Sequence, residues 1–235
     1  MEPLTIALIL FVPFFFIVVW GFILSAKKVA KFKQTQKELA RELNFKYVPE
    51  PNVFKLIFDG LKNNDFEKVK EGLKYIFQPS SISSKVIGKI KLDGEEYDLE
   101  IASKIIKFKE WSITVTYIIL QPIDFFNHLY FEISSHDVFH KFEKLFMKDI
   151  QFNNPKFDSK FLVLGNDVST IKKIIDDNLV KNLIHIRENA RILFQPPMLY
   201  FEEEGYIDDV KYLKWIILIM LNILKNMYEL KDKKI

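Results

Sequence analysis

The first pattern along the chain is a continuous run of apolar residues close to its start. From Ile6 to Leu24 the sequence holds 19 residues without a charged side chain. At a rise of about 1.5 Å per residue, such a helix is roughly 28 Å long, which is close to the hydrocarbon thickness of a bilayer. We therefore predict a transmembrane anchor over residues 1–26, with Trp20 as an aromatic anchor towards its C-terminal end.

A cleaved signal peptide is the main alternative for this segment. Such a peptide has a basic start, a shorter apolar core and small residues before its cleavage site. Here the residues before the run include Glu2 and neither Lys nor Arg, and the run is longer than a signal core. The pattern favours an uncleaved anchor.

Basic residues follow the apolar run, and they set the orientation that we predict. Lys27, Lys28, Lys31 and Lys33 come directly after the run, and no Lys or Arg precedes it. Under the positive-inside rule, the N-terminus then faces outwards and the residues from 27 onwards lie in the cytoplasm. We expect a single-pass protein of the cell membrane, whose four lysines lie at the membrane surface and contact lipid headgroups.

Residues 27–46 are predicted to form a basic juxtamembrane helix. Its stripe recurs in steps of three and four residues and comprises Val29, Phe32, Gln36, Leu39 and Leu43. One interpretation is a short parallel coiled coil that forms a homodimer through residues 27–44. The other is a helix whose stripe packs on its own domain. The short stripe and the polar Gln36 favour the second interpretation.

Residues 47–235 begin with helical spacing over 52–77 and then show a clear hairpin signal. Asp93-Gly94 suits a type I′ turn between two alternating segments. Folding about this turn predicts four cross-strand pairs, which are Lys91 with Glu96, Lys89 with Asp98, Ile90 with Tyr97 and Val86 with Ile101. The hairpin indicates an antiparallel sheet with one solvated face.

Strand and helix patterns then follow one another to the end of the chain. Alternating residues over 111–120 continue the sheet, and shorter strand patterns follow at 130–134, 161–164, 190–194 and 198–204. Helical spacing is present at 137–147, 168–183 and 207–230. The last of these holds an apolar run over 215–224 that is too short to span a bilayer, which favours a buried core helix over one lying on the membrane. Together these patterns predict an α+β fold, in which a largely antiparallel sheet is covered by helices.

Composition and charge exclude several classes of function. The chain has 235 residues and no cysteine, which excludes disulfides, thiolate nucleophiles and cysteine-based zinc sites. The net charge is +3, and residues 27–46 alone carry a net charge of +5, so the remaining domain is close to neutral. A nucleic-acid-binding domain usually has a basic face of its own. We therefore expect no nucleic-acid partner.

Few residues offer recognisable chemistry. His136 and His140 are four residues apart and could share one helix face as metal ligands, but a surface pair is favoured because no second ligand group accompanies them. An acidic cluster is predicted to be a solvated strand end before a helix, and it comprises Glu202, Glu203, Glu204, Asp208 and Asp209. No Walker, Rossmann or G-x-S-x-G pattern is present in the sequence. We predict no cofactor, and the sequence identifies no catalytic residue.

Two segments carry a resemblance to a known group of proteins. They read LARELNFKYVPEP at residues 39–51 and FDSKFLVLGNDVSTIKKIID at residues 157–176. With the N-terminal apolar run, they resemble an uncharacterised family of prokaryotic, mainly archaeal, membrane-anchored proteins. The resemblance implies a cytoplasmic domain of unknown function and supplies no active-site residues.

These observations favour a non-enzymatic function. We expect a membrane-anchored interaction or scaffold module that binds a protein partner whose identity the sequence does not indicate. The alternative is a membrane-associated enzyme or a lipid-handling domain, with a site assembled from residues that are distant in sequence.

Overall fold

The computed structural model describes residues 3–49, 59, 62–63, 65, 67–68, 70, 84–107, 111–135 and 149–232. For residues 3–18, 22 and 107 it describes the backbone only. The elements in chain order are α1 (Pro3–Leu43), β1 (Lys46–Val48), β2 (Lys85–Leu92), β3 (Glu95–Lys107), β4 (Ser112–Gln121), β5 (Phe131–Ser135), α2 (Pro155–Lys160), β6 (Phe161–Gly165), α3 (Val168–Ile174), α4 (Asp177–Leu183), β7 (Ala190–Gln195), β8 (Met198–Glu204) and α5 (Val210–Asp232).

The strands form a single sheet in the order β1-β2-β3-β4-β8-β7-β5-β6. Every pair of neighbouring strands is antiparallel. The α+β fold and its antiparallel sheet are therefore confirmed. Strand β5 lies between β7 and β6. Residues that are far apart in the sequence therefore become neighbours in the half of the sheet that ends with β6.

The hairpin at Asp93-Gly94 has the predicted register. All four predicted cross-strand pairs are present between β2 and β3. Asp93 and Gly94 both have positive φ, of 49° and 86°, which is the backbone conformation that a type I′ turn requires. A short local turn therefore fixes the pairing of the two strands.

The core lies between one face of this sheet and the helices. Neighbouring strands place Ile101, Ile118, Phe201 and Ile192 in one continuous row, and all four are buried. Helix α5 packs against α1, α3 and α4 on this side of the sheet. We call this the core face and the opposite side the second face.

Helix α5 is a core helix, as its sequence predicts. Nine of its residues are buried, among them Ile216, Met220 and Ile223. Leu218, on its outer side, is 58% exposed. The helix begins at Val210, three residues later than the sequence pattern suggests, because Asp209 accepts hydrogen bonds from the backbone N–H groups of Lys211 and Tyr212.

The segment 168–183 is two helices, and its prediction as one helix is wrong. Helix α3 ends at Ile174 and α4 begins at Asp177. The cause is Asp176, whose side chain accepts a hydrogen bond from the backbone N–H of Leu179 and so begins a new helix. The apolar spacing continues across the break, which is why the sequence pattern does not reveal it.

Helix α1 extends from Pro3 to Leu43 and enters the core with its last turns. Phe32, Gln36 and Leu39 are each no more than 1% exposed. The Gln36 side chain donates to the carbonyl oxygens of Ser84, at 2.9 Å, and Ile101, at 3.3 Å, and it accepts from the Ser84 hydroxyl. The stripe of this helix is therefore buried on the chain's own domain, as the second interpretation of its pattern predicts.

Over the residues whose side chains the structure describes, no helix is long and apolar enough to cross a membrane. The transmembrane anchor stays a prediction. The helices predicted at 52–77 and 137–147 fall largely or wholly outside the described residues.

Candidate functional site

The second face of the sheet carries a connected set of charged and tyrosine side chains that crosses six strands. We call this set the polar ladder, and its members are Lys85, Glu100, Lys104, Tyr117, Tyr130, Glu132, Arg191, Tyr200 and Glu202. Strand alternation explains the common side of the strand residues, because each lies an odd number of positions from a core-face residue of its own strand, such as Ile101, Ile118, Ile192 or Phe201. The ladder is the largest polar arrangement that we find among the described residues.

At the end nearest β2, the ladder is built around Glu100 of β3. The Glu100 carboxylate accepts hydrogen bonds from Lys85 Nζ at 2.9 Å and from the Tyr117 hydroxyl at 2.7 Å. The three residues come from β2, β3 and β4. They tie three neighbouring strands together through one carboxylate oxygen.

The centre of the ladder is the Lys104 ammonium group beside two stacked tyrosine rings, whose centres are 6.1 Å apart. Lys104 Nζ lies 5.0 Å from the Tyr200 ring centre and 5.8 Å from that of Tyr117, which is within the range of cation–π attraction. Lys104 also donates to the Tyr200 hydroxyl at 2.6 Å, and that hydroxyl donates to Glu202 at 2.8 Å. The tyrosine rings thus occupy fixed positions on the sheet surface.

At the end formed by β7 and β5, the ladder enters the protein interior. Arg191 Nη2 donates to Glu132 at 2.8 Å, and the Tyr130 hydroxyl donates to the same carboxylate oxygen at 2.9 Å. Glu132 is fully buried, and Arg191 also approaches Glu202, at 3.7 Å. A buried carboxylate needs such a partner, since an uncompensated charge in the interior is costly.

Tyr117, Tyr200 and Arg191 of the ladder do not favour proton transfer near neutral pH. Burial, together with the hydrogen bond to Glu100, raises the pKa of Tyr117, and burial together with the charge of Glu202 raises that of Tyr200. Burial lowers the pKa of Arg191, but the charge of Glu132 and the hydrogen bond to it outweigh this effect, so that the pKa lies above its ordinary value. The tyrosines therefore stay protonated and the arginine stays charged, which suits binding rather than acid–base catalysis.

A second, smaller cluster lies on the core face near the start of α5. Glu203 is 1% exposed and accepts from Arg187 Nη1 at 2.7 Å and from the Tyr212 hydroxyl at 2.8 Å. The Arg187 guanidinium also lies 4.2 Å from the centre of the Tyr212 ring. All three side chains satisfy one another, so the cluster fixes α5 on the sheet.

The predicted acidic cluster is divided between these two sites. Glu202 lies on the second face and Glu203 on the core face, so the prediction of a solvated strand end is wrong for both. Asp208 forms a salt bridge with Lys31 of α1 at 2.8 Å, and the Asp209 side chain caps the N-terminus of α5. Among the described residues, no group of three or more His, Asp or Glu could hold a metal ion.

Four of the predicted membrane-contacting residues, Trp20, Lys27, Lys28 and Lys31, precede Phe32, the first residue of α1 that the structure describes as buried, and Lys33 follows it. Trp20 is 64% exposed, and Lys27 and Lys28 are exposed. Lys31 is exposed and paired with Asp208, and Lys33 is half-buried. His136 and His140, the candidate metal pair, lie outside the described residues.

The ladder was not identified from the sequence, although part of its signal is present. Leu199 and Phe201 are apolar strand residues, so an alternating pattern places Glu203 on their buried side and Tyr200 and Glu202 on the other. The order of the strands, which brings these residues beside Lys104 and Arg191, has no such local signal. It arises from pairing between distant segments.

The described residues also line two surface clefts, neither of which includes a member of the polar ladder. One of about 450 Å³ lies between α3 and the end of α5 and is lined by Thr170, Lys172, Lys173, Asp176, Asn226, Glu229 and Leu230. The other, of about 220 Å³, lies near the β2–β3 turn. Most of the residues that line the larger cleft are charged or polar, but the aliphatic parts of their side chains contribute much of its surface.

Comparison with known proteins gives little further information. No protein-family model matches the chain. No curated protein matches it. Among solved structures, the chain is similar to the crystal structure of the mycobacterial trehalose monomycolate transport factor A, TtfA, with 10% sequence identity and a TM-score of 0.45 over 83% of this chain and 94% of that chain.

Proposed function

We propose that the chain is a single-pass, membrane-anchored module that presents its sheet to a protein partner at the cytoplasmic surface. The observation that carries this proposal is the continuity of α1. One helix contains both the apolar run from Ile6 to Leu24 and the turns around Gln36 that are buried in the domain. An anchor and a domain joined in this way form one unit.

The length of α1 between the apolar run and its first buried residue determines how close to the bilayer the domain would lie. Leu24 ends the apolar run, and Phe32 is the first residue of α1 that the structure describes as buried. Eight helical steps of about 1.5 Å lead from Leu24 to Phe32, which corresponds to about 12 Å. Lys27 and Lys28 lie between them and are exposed, in a position to contact anionic headgroups.

The polar ladder is the surface that we assign to the partner. Tyrosine and arginine are enriched at the centres of protein interfaces, since they combine large contact areas with hydrogen-bond donors. The ladder holds three cations and three carboxylates in alternation, as Lys85, Lys104, Arg191, Glu100, Glu132 and Glu202. This balance favours a partner of mixed charge and disfavours a nucleic acid, whose phosphates need an excess of cations.

A homodimer through residues 27–44 would have to use another side of α1. Phe32, Gln36 and Leu39 are buried on the chain's own domain, so they are not available to a second copy. The exposed side of the same segment carries Lys37 and Glu38. This arrangement favours an unlike partner on the sheet over a coiled coil of two identical chains.

Protease protection of the full chain in membrane vesicles tests the anchor. We expect digestion of residues 27–235 from the cytoplasmic side only. Digestion of this region from the outer side alone would contradict the proposed topology.

A photo-reactive amino acid at Tyr200 tests the partner surface. We expect a reproducible crosslinked product that Lys104→Glu abolishes, because this substitution reverses the charge next to position 200. The matched control is the same photo-reactive group at Lys181, which is exposed on α4. An absent product at Tyr200, or an equal product at Lys181, would contradict the assignment of the ladder.

A further inference from the structure

The sheet edge at β2 is only partly covered by β1. The two strands pair from Val48 with Lys85 to Lys46 with Ile87. Strand β2 continues beyond the second of these pairs to Leu92. None of the described strands pairs with this part of β2 on the side away from β3. We call residues 88–92 of β2 the open edge.

The hairpin register shows which backbone groups point out of the open edge. In a hairpin with a two-residue turn, the residues that flank the turn exchange both of their backbone hydrogen bonds, and the bonded pairs alternate from there. Leu92 and Glu95 flank the turn, so Leu92 and, by alternation, Ile90 bond to β3. The N–H and C=O groups of Lys89 and Lys91 therefore point away from β3. Within the described part of the chain, no backbone hydrogen bond reaches these four groups.

Phe45 explains why β1 does not cover the open edge. This residue directly precedes β1, and its ring occupies the place where a Cβ atom on Gly88 would lie. Its backbone N–H donates to the Ala40 carbonyl of α1 at 2.7 Å. The chain before Lys46 therefore belongs to the end of α1 and does not continue along β2.

The two sides of the open edge differ in chemistry. On the second face lie Lys89 and Lys91, both exposed, and Lys46 of β1 continues this basic line. On the core face lie Ile90 and Leu92, which are half-buried and pack against the core. Inside the sheet, the two lysines of β2 are in register with acidic residues of β3. A strand added on the outer side extends this pattern if its acidic residues face the lysines and its apolar residues face Ile90 and Leu92.

A second copy of the same edge does not fit this pattern. Antiparallel pairing of two open edges would bring the lysines of one copy next to those of the other, and like charges opposite each other destabilise a sheet. Lysine on an edge strand commonly prevents such self-association. It does not prevent pairing with a strand of opposite charge. The open edge therefore selects its neighbour by charge.

We propose that the open edge binds an extended segment of a partner protein in which acidic and apolar residues alternate. The segment adds a strand to the sheet, and its backbone bonds to the outward N–H and C=O groups of Lys89 and Lys91. Its carboxylates face these two lysines, and its apolar side chains pack beside Ile90 and Leu92. This inference depends neither on the membrane anchor nor on the polar ladder.

A pair of synthetic peptides tests the charge selection. One peptide alternates glutamate and valine, and the other has lysine in place of each glutamate. Both carry a fluorophore and blocked ends, and binding to the full chain in non-ionic detergent micelles is followed by fluorescence anisotropy. We expect the glutamate peptide to bind about tenfold more tightly, because attractive cross-strand pairs replace repulsive ones. Equal affinities, or no binding of the glutamate peptide, would overturn the proposal.

Charge reversal at Lys91 shows whether the peptide binds at this edge. Lys91→Glu should lower the affinity for the glutamate peptide and raise that for the lysine peptide, because the changed side chain faces the added strand. The matched control is Lys181→Glu, which makes the same change at an exposed position of α4 and should leave both affinities unchanged. Equal effects of the two substitutions would overturn the assignment of the edge.

A proline at the same position tests the backbone contact. Lys91→Pro removes an N–H group that β3 does not use, so the chain should keep its circular dichroism spectrum, since proline is tolerated where an edge-strand N–H faces away from the sheet. We expect it to abolish binding of the glutamate peptide, whereas Lys91→Gln, which removes the charge but keeps the N–H, should only weaken binding. Unchanged binding to Lys91→Pro would overturn strand addition. A dimer in sedimentation velocity that Lys91→Pro dissociates would show that the edge pairs with a second copy, and it would overturn the proposed partner.

Discussion

Replacement of Gln36 by leucine distinguishes the two interpretations of the α1 stripe, because they predict changes of opposite sign. In the structure, Gln36 is fully buried and forms hydrogen bonds with Ser84 and with the carbonyl of Ile101. Leucine has a similar size but no polar atoms, so these partners lose their hydrogen bonds in the interior. In a coiled coil, a polar residue at a seam position lowers stability, and leucine would raise it.

The magnitude follows from the number of groups that lose a partner. Two carbonyl oxygens and one hydroxyl are affected, and each buried group without a partner costs about 1–3 kcal/mol. The Ser84 hydroxyl can rotate, and water can reach part of the site, so we expect a loss of about 2–3 kcal/mol in the free energy of unfolding. For a chain of this size, that loss corresponds to a decrease in Tm of about 4–12 °C.

The assay is thermal unfolding of the full chain in detergent micelles, followed by circular dichroism at several protein concentrations. The control is Gln34→Leu, which makes the same chemical change on an exposed position of the same helix. We expect Gln36→Leu to lower the Tm at every concentration and Gln34→Leu to leave it almost unchanged. An increase in Tm that grows with protein concentration would refute intramolecular packing and support a dimer.

Two further predictions concern single side chains. Arg187→Ala leaves the Glu203 carboxylate buried without its cation. It should therefore lower the free energy of unfolding, measured by urea titration, by about 2–4 kcal/mol. A loss of stability smaller than that caused by Glu203→Gln would contradict this assignment. Asp167 begins α3, and the backbone and hydroxyl hydrogen bonds from Thr170 lower its pKa below the ordinary value. Its ionised form therefore stabilises the fold above the ordinary carboxyl pKa of about 4, and this contribution is lost as the pH falls through the lower folded-state pKa. The difference in stability between wild type and Asp167→Asn should shrink over that acidic range, and a constant difference would contradict the origin of the shift.

The features that the sequence predicts well are those encoded by neighbouring residues. The hairpin at Asp93-Gly94 is one example, because two residues with positive φ fix the turn and the turn fixes the register. Helix α5 is another example, because an apolar run as long as residues 215–224 predicts a buried helix and not one exposed to solvent. In both cases the local pattern and the tertiary contacts favour the same structure.

The polar ladder depends on information that a local pattern does not contain. Lys104 and Tyr200 are hydrogen-bonded but lie 96 positions apart, and they meet only because β8 pairs with β4. Glu203 illustrates the limit of reading residue types alone. A carboxylate between two other acidic residues suggests solvent exposure, whereas its place in the alternation of β8 points it into the core towards Arg187.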